Sequence, residues 1–252
     1  MCIIGLGTVG YPTALHIKHC GFNTFGYDVN EAKTKLISSF PAFYNWKDVP
    51  KAEVYVLCVS TSWRKGRPNA SNIYDVCHKI VNKGGKPLVC IESTVPMGTC
   101  RKASELFDKV YLVHVPHRYW VEKPLEHGVK QLRVIGALDK LSLTKGKKFY
   151  SALSIPLHIT PSLEIAEIIK IAENAYRFVQ IAFVEDLQMI CNEADISFEG
   201  VRRGANTKWN VNLLEARGGV GGTCLPKDVK YLKHISARSF LLEGAIKTDQ
   251  KI

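Results

Sequence analysis

The sequence predicts an α/β chain in which a doubly wound parallel sheet is followed by a helical domain with a long central helix. Three observations carry this. Short β-branched runs alternate with helical patterns up to Thr160, and the first run leads into a G-x-G-x-x-G loop. From Leu163 to about Ala194, strand-like alternation, glycine and proline all disappear. Continuous apolar strands separated by helices belong to parallel sheets covered on both faces. The expected domains are residues 1–160 and 161–252, joined near Pro161.

Strands are expected at Cys2–Leu6, Thr24–Val29, Val54–Val59, Pro87–Glu92, Val110–Val115, Arg133–Ala137 and Pro156–Thr160. Each is a short apolar run of strand-favouring residues. Helical patterns fall between them, at Tyr11–Cys20, Ile73–Val81 and Lys102–Phe107. Beyond Pro161, the residues Ile165, Ile168, Ile169, Ala172, Ala175, Val179, Ala182 and Phe183 recur at a helical period. As one helix this stretch is longer than usual and suited to a spine or a dimer interface. Two helices with a break satisfy the same spacing.

Composition bounds the function. The 252 residues are 46% apolar and 23% charged, a balance that supports a packed core and excludes a disordered chain. No apolar run approaches the roughly 20 residues of a membrane span. Met1–Gly5 already reads as strand, so no cleaved leader is expected. The formal charge is +11, from 34 Lys and Arg against 23 Asp and Glu. Those basic residues are scattered and fit no nucleic-acid motif, so an anionic small molecule is the expected partner and nucleic acid is not. Of eight cysteines, Cys2, Cys58 and Cys90 lie in apolar strands, and there is no C-x-x-C pair. The expectation is a reducing cytoplasm, with neither a disulfide framework nor a metal.

Gly5-Leu6-Gly7-Thr8-Val9-Gly10 follows the first strand and opens the first helix, the setting of a Rossmann-type dinucleotide site. The first glycine permits the turn, the second admits a pyrophosphate, and the third lets helix and strand pack. Thr8 and Val9 complete the loop at the helix N-terminus, where backbone N–H groups face phosphate. Asp28 stands 18 residues past Gly10, at the end of the second strand, where a carboxylate binds the adenosine ribose. Its charge would repel a 2′-phosphate, so NAD is expected over NADP.

The most specific stretch is Gly218-Gly219-Val220-Gly221-Gly222-Thr223-Cys224-Leu225-Pro226-Lys227-Asp228. Four glycines suggest backbone passing close to a ligand. A helical pattern runs from Pro226 through His234, which puts Cys224 at a helix start. The helix dipole and Lys227 there favour thiolate. Asp228, one helical turn on, is placed to relay a proton or position water.

These motifs together resemble the UDP-glucose/GDP-mannose dehydrogenase family. Leu57-Cys58-Val59-Ser60-Thr61-Ser62 is similar to its I-C-V-P-T-P segment, with serine for both prolines. Glu92-Ser93-Thr94-Val95-Pro96-Met97-Gly98-Thr99 is similar to S-T-V-P-x-G-T, and Ala166 to Arg177 to A-E-x-x-K-x-x-x-N-x-Y-R. The resemblance implies oxidation of a nucleotide sugar, UDP-linked, from the C6 alcohol to the uronate with two NAD reduced. It implies Cys224 as covalent nucleophile and Lys170 and Asn174 as the pair holding the reacting oxygen. Thr94 would position the C6 group or water, and Asp228 would assist proton transfer. Val59, Thr61 and Thr94 would line the nicotinamide side, and the central domain would form a homodimer.

Two departures stand out. Val115-Pro116-His117 carries histidine where the family has P-E, so His117 is either an altered base or a packing residue. The family also has a third domain that binds much of the nucleotide, and this sequence stops at Ile252, either as a natural two-domain relative or as a fragment. Substrate is therefore expected to bind weakly. A two-electron β-hydroxyacid-type dehydrogenase and a non-catalytic NAD-binding relative remain as rivals.

Overall fold

The computed structural model describes residues 1–120, 122–124 and 127–252. In chain order the elements are β1 (Cys2–Ile4), α1 (Gly10–His19), β2 (Phe25–Tyr27), α2 (Glu31–Lys35), β3 (Ala42–Phe43), β4 (Val54–Leu57), β5 (Ser62–Arg64), β6 (Arg67–Asn69), α3 (Ser71–Val81), β7 (Leu88–Ile91), α4 (Thr99–Ser104), β8 (Tyr111–His114), β9 (Arg133–Ala137), α5 (Lys140–Ala152), β10 (Leu157–Ile159), α6 (Leu163–Glu193), α7 (Phe198–Ala205), α8 (Cys224–His234) and α9 (Phe240–Asp249). The chain divides into two compact units. One comprises Met1–Ser62 and Asn69–Lys170, the other Trp63–Pro68 and Ile171–Ile252.

The first unit is built on an eight-stranded sheet in the order β10-β9-β8-β7-β4-β1-β2-β3. Its central strands are buried on both faces, and alternate residues feed two cores. Cys2, Ile4, Tyr55, Leu57, Val89 and Ile91 pack with Ile73, Val76, Cys77 and Ile80 of α3. Ile3, Val54, Val56, Leu88 and Cys90 pack with Ala14 and Ile17 of α1 and Phe149 and Tyr150 of α5. The α3 residues lie at i, i+3, i+4 and i+7, the spacing of one helix face. Polar caps fix other helix starts: Asn30 accepts from Lys33 N at 3.0 Å and Asp139 from Ser142 N at 2.6 Å.

Two features depart from the expected sheet. β8 and β9 are antiparallel, Val113 opposite Ala137. The connection between them carries no helix among its described residues, and a parallel pairing needs a crossover. Short strands β3, β5 and β6 were not expected. β3 has two residues, too few to show a period, and the β5–β6 hairpin of Arg64, Lys65, Gly66 and Arg67 is too charged to read as strand.

The second unit is helical. α6 is one continuous helix of 31 residues, which decides between the one-helix and two-helix expectations. Ala175, Phe178, Ile181 and Ala182 of α6 form a core with Val220 and with Val229 of α8, closed by Leu242 and Ile246 of α9. No helix among the described residues is long and apolar enough to cross a membrane.

Candidate active site

The glycine loop joins β1 to α1 at the carboxyl ends of the strands, beside the point where the sheet order reverses between β1 and β4. Open α/β sheets bind ligands in that crevice. Gly5 has φ +90°, and a Cβ there would meet Cys58 O at 2.7 Å. A Cβ on Gly10 would lie 1.8 Å from Gly5 O, whereas one on Gly7 would meet nothing within 4 Å. Two glycines thus serve the turn and the helix packing, and the third leaves open space for an approaching group. The first turn of α1 has no side-chain cap, so its N–H groups are not taken up by a capping side chain. These features fit a dinucleotide pyrophosphate.

Asp28 follows β2 and is 8% exposed. Its Oδ2 accepts from Leu6 N at 2.8 Å and its Oδ1 from Asn30 N at 2.9 Å. Lys33 Nζ lies 3.4 Å from Oδ2. Three donors leave lone-pair capacity for a ribose hydroxyl, but Lys33 offsets the charge expected to repel a 2′-phosphate. On the neighbouring strand ends, the Thr61 hydroxyl donates to Thr94 O at 2.6 Å and the Ser93 hydroxyl to Val59 O at 2.6 Å. Val59, Thr61 and Thr94 are therefore held as one edge, and all three are half-buried.

Beneath that edge lies a buried polar cluster. Glu92 accepts from Tyr150 Oη at 2.6 Å, pairs with Arg133 Nη1 at 3.1 Å and contacts His117 Nε2. Desolvation opposes ionisation of Glu92, yet the Arg133 and His117 side chains pull its carboxyl down to about 2. Burial, then the charge of Arg133, push His117 down to about 4. The Thr13 hydroxyl donates to Val9 O at 2.9 Å and so accepts from His117 Nε2 at 3.1 Å, which places the imidazole proton on Nε2. Of the two expectations for His117, this geometry supports the packing one: the ring is neutral, 7% exposed and enclosed. Cys58, Glu92 and His117 present ligand atoms within 4.8 Å of one another, but Arg133 sits among them, where a cation would be repelled.

In the second unit, Cys224 is the first residue of α8 and is exposed, with its Sγ 4.0 Å from Thr223 Oγ1. The approach to it is strained for any residue but glycine, with φ of +76°, +98°, +63° and +67° at Gly218, Gly219, Gly221 and Gly222. Side chains pin this loop: Arg217 N donates to Glu185 at 2.7 Å and Val220 N to Asp249 at 2.7 Å. Asp228, one turn into α8, is fully buried and accepts from Asn174 Nδ2 at 2.5 Å. Lys227 pairs with Asp228 as well. Its ammonium is thus committed to the carboxylate rather than to the thiol, as a fully buried charge requires a counter-charge. Lys170 and Asn174 lie one turn apart along α6.

Residues 164–249 match the UDP-glucose/GDP-mannose dehydrogenase family, central domain. The chain is 28% identical over 281 residues to the UDP-N-acetyl-D-mannosamine dehydrogenase of Methanococcus vannielii, covering 100% of this chain and 65% of that protein. It is 29% identical to the enzyme of that name from Methanococcus maripaludis, covering 90% of this chain and 60% of that one. The solved structure of UDP-D-ManNAc dehydrogenase from Pyrococcus horikoshii superposes with a TM-score of 0.92 at 25% identity, covering 100% of this chain and 68% of that one. Over residues 164–249 the chain is thus similar to the central domain of that family. It spans 60–65% of the length of the two curated relatives.

Three residues have roles that the sequence reading did not assign. Lys33 has no signal beyond lying five residues past Asp28. Glu167, fully buried, accepts from Gly98 N at 2.6 Å and Cys100 N at 2.7 Å and so caps the first turn of α4. An acid three residues before Lys170 and beside buried Ala166 was the available signal. Trp63 lies in the unexpected hairpin.

Proposed function

We propose that this chain carries the cofactor-binding and central domains of an NAD-dependent nucleotide-sugar 6-dehydrogenase that oxidises a UDP-linked sugar, UDP-N-acetyl-D-mannosamine or a close relative, to its uronate. The observation that carries the reading is an exposed Cys224 opening α8, with the buried Asp228–Asn174 hydrogen bond one turn further on. The names of the full-length relatives support the sugar class.

In this reading residues 1–160 are the cofactor domain and residues 161–252 the central domain. Gly5, Gly7, Thr8, Val9 and Gly10 hold the pyrophosphate, Asp28 the ribose, and Val59, Thr61 and Thr94 the nicotinamide edge. NAD, when bound, would accept the hydrides, one molecule for each of the two oxidations. Lys170 and Asn174 hold the C6 oxygen as it loses its proton and the C6–H bond breaks, leaving an aldehyde. Cys224 Sγ then adds to the aldehyde carbon, and the oxygen takes up a proton to give a thiohemiacetal. Loss of a second hydride and a proton leaves a thioester. Water adds to it, the C–S bond breaks, and the thiol and the carboxylate are released. Thr94 positions the C6 group, and Asp228 orients Asn174 and assists proton transfer.

A homodimer through α6 belongs to the same reading. Tyr176, Phe183 and Ile190 are 68%, 55% and 54% exposed at seven-residue spacing, an apolar stripe suited to a second copy.

The test is NADH stoichiometry with UDP-N-acetyl-D-mannosamine: two per sugar, and no uronate from Cys224→Ala. One NADH per sugar, or uronate from the variant at the parental rate, overturns the mechanism.

A further inference from the structure

The β5–β6 hairpin begins directly after Thr61, and its residues Trp63–Pro68 cluster with the second unit. Its tryptophan packs on α8. The Trp63 ring lies 5.7 Å from the His234 ring, edge to face at 82°, and 6.4 Å from the Tyr231 ring. Tyr231 is 1% exposed, and Lys227 Nζ stands 4.3 Å from its centroid. Lys227 also pairs with Asp228, and Asp228 accepts from Asn174. One contiguous series of contacts therefore runs from Trp63 through Tyr231, Lys227 and Asp228 to Asn174. At the Cys224 end of α8 the N-cap residue Thr223 makes no side-chain cap bond. The place of the thiol thus depends on how the flanks of α8 are packed.

We propose that Trp63 is a positioning residue for covalent catalysis. Acting through Tyr231 and Lys227, it fixes the helix start that presents Cys224. This rests on the reading of Cys224 as nucleophile.

The experiment compares the full chain with Trp63→Ala and Trp63→Phe. With NAD and the sugar aldehyde, Trp63→Ala should lower kcat for acid formation about tenfold with unchanged KM, and Trp63→Phe should recover most of it. NAD affinity and the alcohol-to-aldehyde step should not move. Independently of turnover, alkylation of Cys224 at neutral pH, followed by mass spectrometry, should slow about threefold in Trp63→Ala but not in Trp63→Phe. If the parent makes no acid, the proposed function fails, and the alkylation rates alone decide the role of Trp63. A folded Trp63→Ala with parental alkylation and parental kcat overturns the proposal, as does an equal loss in both hydride steps. If Trp63→Ala does not fold, Trp63→Leu, which keeps apolar bulk without the aromatic ring, is judged by the same criteria.

Discussion

Cys90 and Cys224 carry the same thiol in opposite surroundings. Cys90 is enclosed by strands, and burial, with the charge of Glu92, pushes its thiol well above its ordinary value. Burial does the same to Cys100 and lifts Cys2 and Cys77 to about 12. Cys224 is exposed at a helix start. Iodoacetamide at neutral pH should therefore label Cys224 first and Cys90 and Cys100 last, resolved peptide by peptide; labelling of a strand cysteine first would contradict this. A second residue-scale expectation concerns Asp28. Asp28→Ala should weaken NAD binding about tenfold or more, since a hydrogen bond to a charged group is worth roughly 1.5–3 kcal/mol. Lys33→Ala should raise the preference for NAD over NADP, because it removes the cation beside Asp28. Calorimetry with both cofactors reads both, and equal affinities for NAD and NADP in the Lys33→Ala chain would count against the assignment.

At the scale of elements, α4 is short and its N-cap is Gly98, with φ +83° and no side chain, so its capping carboxylate comes from Glu167 on α6. Glu167→Gln keeps the shape and removes the charge, and should cost about 1–2 kcal/mol. A denaturant midpoint equal to the parent's would show that the cap contributes nothing. Long-range capping of this kind is not legible in a sequence, because partners 69 and 67 residues apart leave no local pattern. What was legible is local. Apolar runs such as Val54–Leu57 announced strands, Gly5, Gly7 and Gly10 the loop, and the spacing from Ile165 to Phe183 the helix. The antiparallel turn of β9 and the β5–β6 hairpin were not, since strand direction and tertiary docking depend on distant partners. The exposure of Cys224 followed from its flanking glycines, whereas the enclosure of His117 came from Glu92, Arg133 and Thr13, contributed by three separate segments.

For the whole molecule, buried titratable groups set the acid limit. Burial lowers His114 to about 4, and burial with Arg133 does the same to His117. The unfolded chain therefore takes up these protons first, near pH 6.5, and stability falls on acidification from there toward pH 4. The slope is about 1.4 kcal/mol per pH unit for each histidine. Glu92, depressed to about 2 against desolvation by Arg133 and His117, adds stability above pH 4.5 that is lost as pH falls through 2. Urea unfolding between pH 7 and 4 should show the histidine slope, and a flat profile would contradict it. The helix α6 sets a different limit, one on length. Asn174 and Glu185 lie on a single uninterrupted helix, and they hold Asp228 of α8 and the backbone of Arg217 ahead of the glycine loop. Each residue of such a helix advances about 1.5 Å and turns about 100°. A one-residue insertion or deletion between Asn174 and Glu185 would swing one of the two off its partner, whereas one beyond Ile190 would leave that spacing untouched. The segment 174–185 works as a ruler, and variation in its length should be far less tolerated than variation in its composition.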